Sequence, residues 1–221
     1  MKNINEFVEH TLLKQDATKA ELMTLIKEAK ENEFLGVCIN PCFIKDVKNE
    51  LNDFKIKIVT VVGFPLGANS SEVKACEAEL AIKDGADEID MVINVSKLKD
   101  KDYEFVKSDI EAVRNACVGH VLKVIIETDL LTKEEIKKVS EICVEAKADF
   151  VKTSTGFVKN GVGAKVEDVK LMYDTVSPFG LGVKASGCIR DLQKALNLIN
   201  VGATRLGTSS GISIINEMRD K

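Results

Sequence analysis

Two lysines stand where ordinary packing would not put them. Lys152 closes the run Phe150-Val151-Lys152 and is followed by Thr153-Ser154-Thr155-Gly156, while Lys184 closes Gly182-Val183-Lys184 and is followed by Ala185-Ser186-Gly187. An ammonium at the end of a buried apolar run is costly to desolvate unless it is paired. Two such amines held close push each other towards the neutral form, and a neutral amine is the nucleophile that attacks a carbonyl to form a Schiff base. Adjacent strands lie about 4.8 Å apart, so inward lysines on neighbouring strands can approach to roughly 5 Å. At an effective dielectric of about 20 they repel by about 3 kcal/mol, enough to leave one amine partly neutral at about pH 8. The same lysines would be structural ion pairs if Asp90 and Glu127 simply neutralise them.

Asp90, in Glu88-Ile89-Asp90-Met91, is the carboxylate expected to face both amines. It can relay protons through water as the amine adduct dehydrates and an enamine forms, or it can serve as a plain counter-ion. A second signature is for anions. Gly202-Ala203-Thr204-Arg205-Leu206-Gly207-Thr208-Ser209-Ser210-Gly211 ends a strand and opens a helix, whose N-terminal amides favour phosphate. Gly156 and Gly187 allow close backbone approach from the two preceding segments. Lys123 and Glu127 are expected to pair and tune the field around Lys152. Cys38 reads as a small residue facing pocket or core, and His10 as a hydrogen-bonded packing residue. Gly63-Phe64-Pro65-Leu66-Gly67-Ala68 reads as either a pocket wall or a rigid turn.

The elements that must carry these side chains alternate along the whole chain. Strand-like runs occur near 9–12, 36–39, 56–62, 88–93, 121–127, 150–153, 182–184 and 205–207, with amphipathic segments between them. Thr18-Lys19-Ala20-Glu21, Asn69-Ser70-Ser71-Glu72 and Thr132-Lys133-Glu134-Glu135 match capping boxes or an Asn-led equivalent. Gly36, Gly85 and Gly202 follow helical patterns, where a left-handed residue is favoured. Eight βα units with short connections predict a single (β/α)8 barrel, a TIM barrel, over residues 1–221; a doubly wound open sheet is the rival. Strand alternation puts Leu122, Val124, Ile89, Met91, Val151 and Val183 under the helices. It turns Asp90, Lys123, Glu127, Lys152 and Lys184 into the barrel, towards the strand ends where sites of this fold are built.

Composition narrows the function classes. The 221 residues are 45% hydrophobic and 30% charged with a net charge of −4, and no basic tract suits nucleic acid. No apolar stretch approaches bilayer length, and the first residues lack the apolar core of a secretory signal. Six scattered cysteines without a C-x-x-C pair read as reduced thiols in the cytoplasm. His10 and His120 lack metal-ligand spacing, so neither a metal nor a cofactor is expected.

Together the segments around His10–Lys14, Val37–Pro41, Gly63–Gly67, Asp87–Val92, Lys123–Thr128, Asp149–Gly156, Val183–Gly187 and Gly202–Ser210 resemble, in order, those of the deoxyribose-phosphate aldolase family. The resemblance implies a class I, metal-independent lyase of (β/α)8 fold, cleaving 2-deoxy-D-ribose 5-phosphate to D-glyceraldehyde 3-phosphate and acetaldehyde. It implies Lys152 as the Schiff-base amine, Lys184 as the lysine that activates it and Asp90 as the proton carrier. The expected substrate-binding set is Thr11, Cys38, Lys123, Thr155, Gly156, Gly187, Gly207, Ser209 and Ser210. Partners are then a phosphorylated sugar and an aldehyde, with a homodimer or higher homo-oligomer expected. Three positions depart from the family: Glu9 where aspartate is common, Cys188 where a second glycine is usual, and Asp129 where a small or apolar residue is. A changed carboxylate reach, a restricted phosphate loop and a weaker phosphate affinity are the respective expectations.

Overall fold

The computed structural model describes residues 3–220. Eight parallel strands close on themselves in sequence order: β1 (Val8–Leu12), β2 (Gly36–Ile39), β3 (Lys57–Val62), β4 (Glu88–Val92), β5 (Val121–Ile125), β6 (Phe150–Lys152), β7 (Gly182–Ser186) and β8 (Arg205–Thr208). β1 pairs with β8, which makes the sheet a barrel and excludes the open doubly wound alternative. Nine α-helices are assigned among the described residues: α1 (Lys19–Glu31), α2 (Ile44–Leu51), α3 (Ser71–Asp84), α4 (Val95–Lys99), α5 (Tyr103–Ala116), α6 (Lys133–Glu145), α7 (Val166–Val176), α8 (Leu192–Asn200) and α9 (Gly211–Arg219). None of them is long and apolar enough to cross a membrane.

Local chemistry explains most boundaries. Thr18 and Thr132 form full capping boxes with Glu21 and Glu135 at the starts of α1 and α6. The Asn-led box at α3 does not form. Ser70 is the N-cap, and the hydroxyl of Ser71 donates instead to Asp109 on α5. Gly85 ends α3 in the left-handed region, at φ 114°. Gly36 does not play that part: it lies within β2, where a Cβ would stand 2.8 Å from the Lys57 carbonyl, so its role is close strand approach.

Strand alternation separates two interiors. Outward residues such as Ile89, Met91, Leu122, Val124, Val151 and Val183 join the large core between sheet and helices. Inside the barrel, Leu13, Cys38, Val59 and Val61 form a small apolar lobe topped by Phe64. The rest of the lumen is charged: Glu9, Glu88, Asp90, Lys123, Lys152 and Lys184 are all buried there. An unpaired charge so placed would unfold the barrel, so the geometry of their pairing decides the site.

Candidate active site

Register puts the two lysines side by side, since Lys152 of β6 is the direct partner of Lys184 on β7. Each amine lies 2.6 Å from the same oxygen, Asp90 Oδ2. Twice that distance is therefore the largest possible gap between their nitrogens. Lys123, the register partner of Asp90, holds the other oxygen, Oδ1, at 3.0 Å. Lys184 also donates to Glu9, while Lys123 lies 3.5 Å from Glu9 Oε1 and 2.6 Å from Glu88 Oε2. Arg205 closes the network below, 3.8 Å from Glu9 and 3.5 Å from Glu88. Three lysines and one arginine thus face three carboxylates.

The protonation pattern follows. Burial pushes the Asp90 carboxyl up, but the ammonium groups of Lys123, Lys152 and Lys184 outweigh it and hold it well below the usual carboxylate range. Glu9 is lowered in the same way, against its burial, by Lys123 and Lys184. Burial alone would discharge Lys184, yet Asp90 and Glu9 reverse that and raise its pKa, and Asp90 and Glu9 do the same for Lys123. Lys184 is therefore a firmly held cation.

Above this cluster lies a cavity of about 370 Å³. Thr11, Leu12, Leu13 and Lys14 line it from the β1 end, and Lys152, Ser154, Thr155, Gly156 and Phe157 from the β6 end. Ser186 to Arg190 and Gly207 to Ser210 complete it. Of the residues expected to bind substrate, Thr11, Thr155, Gly156, Gly187, Gly207, Ser209 and Ser210 line it together. Cys38 and Lys123 do not: both are fully buried beneath its floor. Lys123 pairs with Asp90 one layer below Lys152, which is itself level with Ile125. Asp90 and Lys184 are likewise fully buried, so Lys152 alone of the cluster opens into the cavity. Arg190 was not singled out in the sequence, although it is an exposed cation of the lining. Its only sequence signal is its place three residues after Gly187.

Four expectations change. Glu127 does not pair with Lys123. β5 ends at Ile125, Glu127 turns left-handed at φ 60°, and its carboxylate accepts from the backbone and hydroxyl of Thr155. Glu9 has no place in the cavity lining; its longer side chain is spent on Lys184. Asp129 does not load the rim with negative charge: it accepts from Gly163 N at 2.8 Å and pins the loop after β6. Cys188 does take a positive φ, 53°, directly after Gly187 at 88°, and its side chain lines the cavity. His10 packs as expected, its Nε2 2.7 Å from Glu28 and its ring against Phe34. Glu9, Cys38 and Asp90 bring potential metal-ligating atoms within 4.8 Å of one another. Lys184 occupies the cation's position there, bonded to both carboxylates.

Comparison with known proteins agrees with this geometry. A family model described as DeoC/LacD family aldolase matches residues 6–216. Deoxyribose-phosphate aldolase of Finegoldia magna is 57% identical over 212 residues, covering 96% of this chain and 98% of its own. That of Mannheimia succiniciproducens is 53% identical, covering 99% and 96%. Among solved structures, an aldolase designated QR15 superposes with a TM-score of 0.93 at 40% identity, covering 100% of this chain and 97% of its own. The tetrameric deoxyribose phosphate aldolase of Aeropyrum pernix does so with 0.90 at 31%, covering 98% and 91%.

Proposed function

We propose, for a chain that belongs to the DeoC/LacD family of aldolases, that Lys152 is the amine on which a class I aldol cleavage turns. The activity is the reversible cleavage of 2-deoxy-D-ribose 5-phosphate to D-glyceraldehyde 3-phosphate and acetaldehyde, supported by full-length relatives named for it. The single observation that carries the assignment of roles is the shared oxygen of Asp90, 2.6 Å from both Lys152 and Lys184. Four cations face three carboxylates, so the cluster holds one positive charge more than its anions balance. Lys152, the member open to the cavity, is the one that can release its proton to solvent.

The reaction then runs on this chain's own groups. Neutral Lys152 attacks C1 of the open-chain aldehyde, and water leaves the adduct as an iminium forms. The C3 hydroxyl loses its proton, the C2–C3 bond breaks, and its electron pair moves into the iminium to give an enamine. Protonation at C2 and hydrolysis release acetaldehyde and restore the amine. Asp90 touches the reacting nitrogen and carries protons to and from it through water. Lys184 acts through Asp90 as a positioning residue, and Lys123 clamps the other carboxylate oxygen from beneath. Gly156, Gly187, Gly207, Ser209 and Ser210, with the N-terminus of α9 and Arg190, hold the phosphate. Thr11 and Thr155 meet the hydroxyls between. Cys38 packs the floor. Neither metal nor cofactor enters this sequence of steps.

Residues 1–221 act as one catalytic barrel, working in the cytoplasm as a homo-oligomer; the tetramer described for the Aeropyrum pernix protein supports the last point. The test is a cleavage assay. Purified protein should release acetaldehyde from 2-deoxyribose 5-phosphate, and Lys152→Ala should lose at least about a thousandfold in kcat with its thermal melt preserved. Full turnover in that variant would refute the assignment.

A further inference from the structure

Phe64, on the loop after β3, and Phe157, on the loop after β6, meet edge to face with ring centroids 5.1 Å apart and planes at 84°. These strands are not neighbours in the closed ring, so the contact spans the mouth of the barrel. Phe64 rests on the apolar lobe of Leu13, Cys38, Val59 and Val61, and both Leu13 and Phe157 line the cavity. A short relay fixes Phe157. Its backbone N–H donates to Thr155 Oγ1 at 3.0 Å, and the Thr155 hydroxyl and N–H both donate to the buried carboxylate of Glu127. Glu127 adopts left-handed backbone at this point, a conformation that a non-glycine residue keeps only where its surroundings demand it.

The cavity is therefore two-sided. Glycines, hydroxyls and Arg190 come from the loops after β7 and β8, while aromatic and aliphatic surface comes from Leu13 and Phe157. Phosphate and hydroxyl groups have partners on the first side. On the second, a hydroxyl would be stripped of water and left without a partner, whereas a methylene would lose nothing and gain burial. The carbon beside the imine is the one position of 2-deoxyribose 5-phosphate, other than C5, that bears no hydroxyl.

We propose that Phe157, backed by Phe64 and held by the Glu127–Thr155 relay, is the specificity-determining wall that selects a donor aldehyde without a hydroxyl on the carbon next to the imine. This rests on the aldolase reading above. An apolar wall rejects an added hydroxyl by about a hundredfold at most, so the effect is readable and not absolute.

The test runs in the synthetic direction. D-Glyceraldehyde 3-phosphate is offered equal acetaldehyde and glycolaldehyde, and the two products are counted by mass spectrometry. Phe157→Ser should lower the deoxy-to-hydroxy product ratio by about tenfold or more. Phe157→Leu, still apolar, should keep most of the selectivity, and Phe64→Ala should move the ratio the same way as Phe157→Ser. Competition by inorganic phosphate should not change, because the phosphate side is untouched. A wild-type protein that condenses neither donor refutes the aldolase reading itself. If wild type condenses acetaldehyde while Phe157→Ser and Phe64→Ala give its product ratio, or if Phe157→Leu loses selectivity as fully as Phe157→Ser, the wall is refuted and the aldolase stands.

Discussion

At the scale of single residues the chemistry depends on which amine keeps its proton. The two lysines were legible because an ammonium closing an apolar run, followed by small hydroxyl residues, has no packing rationale. Mutual repulsion was only half the physics. Asp90 and Glu9 hold Lys184 charged, so the asymmetry of the pair comes from carboxylates that alternation alone does not allot. Glu9 lies 175 positions from Lys184 in the chain, and no local pattern announces that bond. Depth was equally hidden, since alternation turns Lys123 and Cys38 inward without saying that they lie below the cavity. Removing Lys184 tests the balance. In Lys184→Leu three cations face three carboxylates, so Asp90 keeps the Lys152 ammonium more firmly. Turnover at pH 7 should fall about a hundredfold, and the rising limb of the pH–rate profile should move to higher pH. Lys184→Arg keeps the charge and should keep the wild-type limb. An unmoved profile in the leucine variant would remove Lys184 from the mechanism.

At the scale of elements, strands and capped helices were readable because period and cap chemistry are local. Loops were less so. Glu127 looked like the next inward residue of β5, but a left-handed turn after Ile125 takes it out of the alternation and gives it to the loop after β6. The loop after β7 carries its own cost. Cys188 holds φ 53° without glycine's freedom, which is worth about 1 kcal/mol against the folded state. Cys188→Gly should therefore raise the stability read from urea unfolding by about that amount, despite the looser unfolded chain. It should also tighten competition by inorganic phosphate. A loss of stability would show that the Cys188 side chain, whose Sγ is 3.8 Å from the Gly161 carbonyl, contributes more than its backbone costs.

At the scale of the whole molecule, a charged network replaces apolar packing in half of the lumen, and stability must follow its titration. Glu9 and Asp90 have depressed pKa values in the fold, so their contribution is present above about pH 4, the unfolded value, and is lost as pH falls through the folded one. Lys123 and Lys184 are raised, so theirs is present below about pH 10 and is lost only in strong alkali. The melting temperature should be flat between these limits and drop steeply on acidification. Glu9→Gln leaves Lys184 and Arg205 undercompensated and should cost about 3–5 kcal/mol at pH 7, with a shallower acid limb. Parallel acid limbs in the two proteins would mean that the network does not govern acid stability. The barrel itself was legible from eight repeated units, whereas its split interior was not, because hydropathy cannot say which inward residues share a layer. What the network exists to do is most directly tested by trapping. The protein is incubated with acetaldehyde, reduced with borohydride and digested, and the ethylated residue is located by mass spectrometry. Modification at Lys152, absent from Lys152→Ala, is the predicted result; modification at Lys184 in its place, or at neither lysine, would contradict the account.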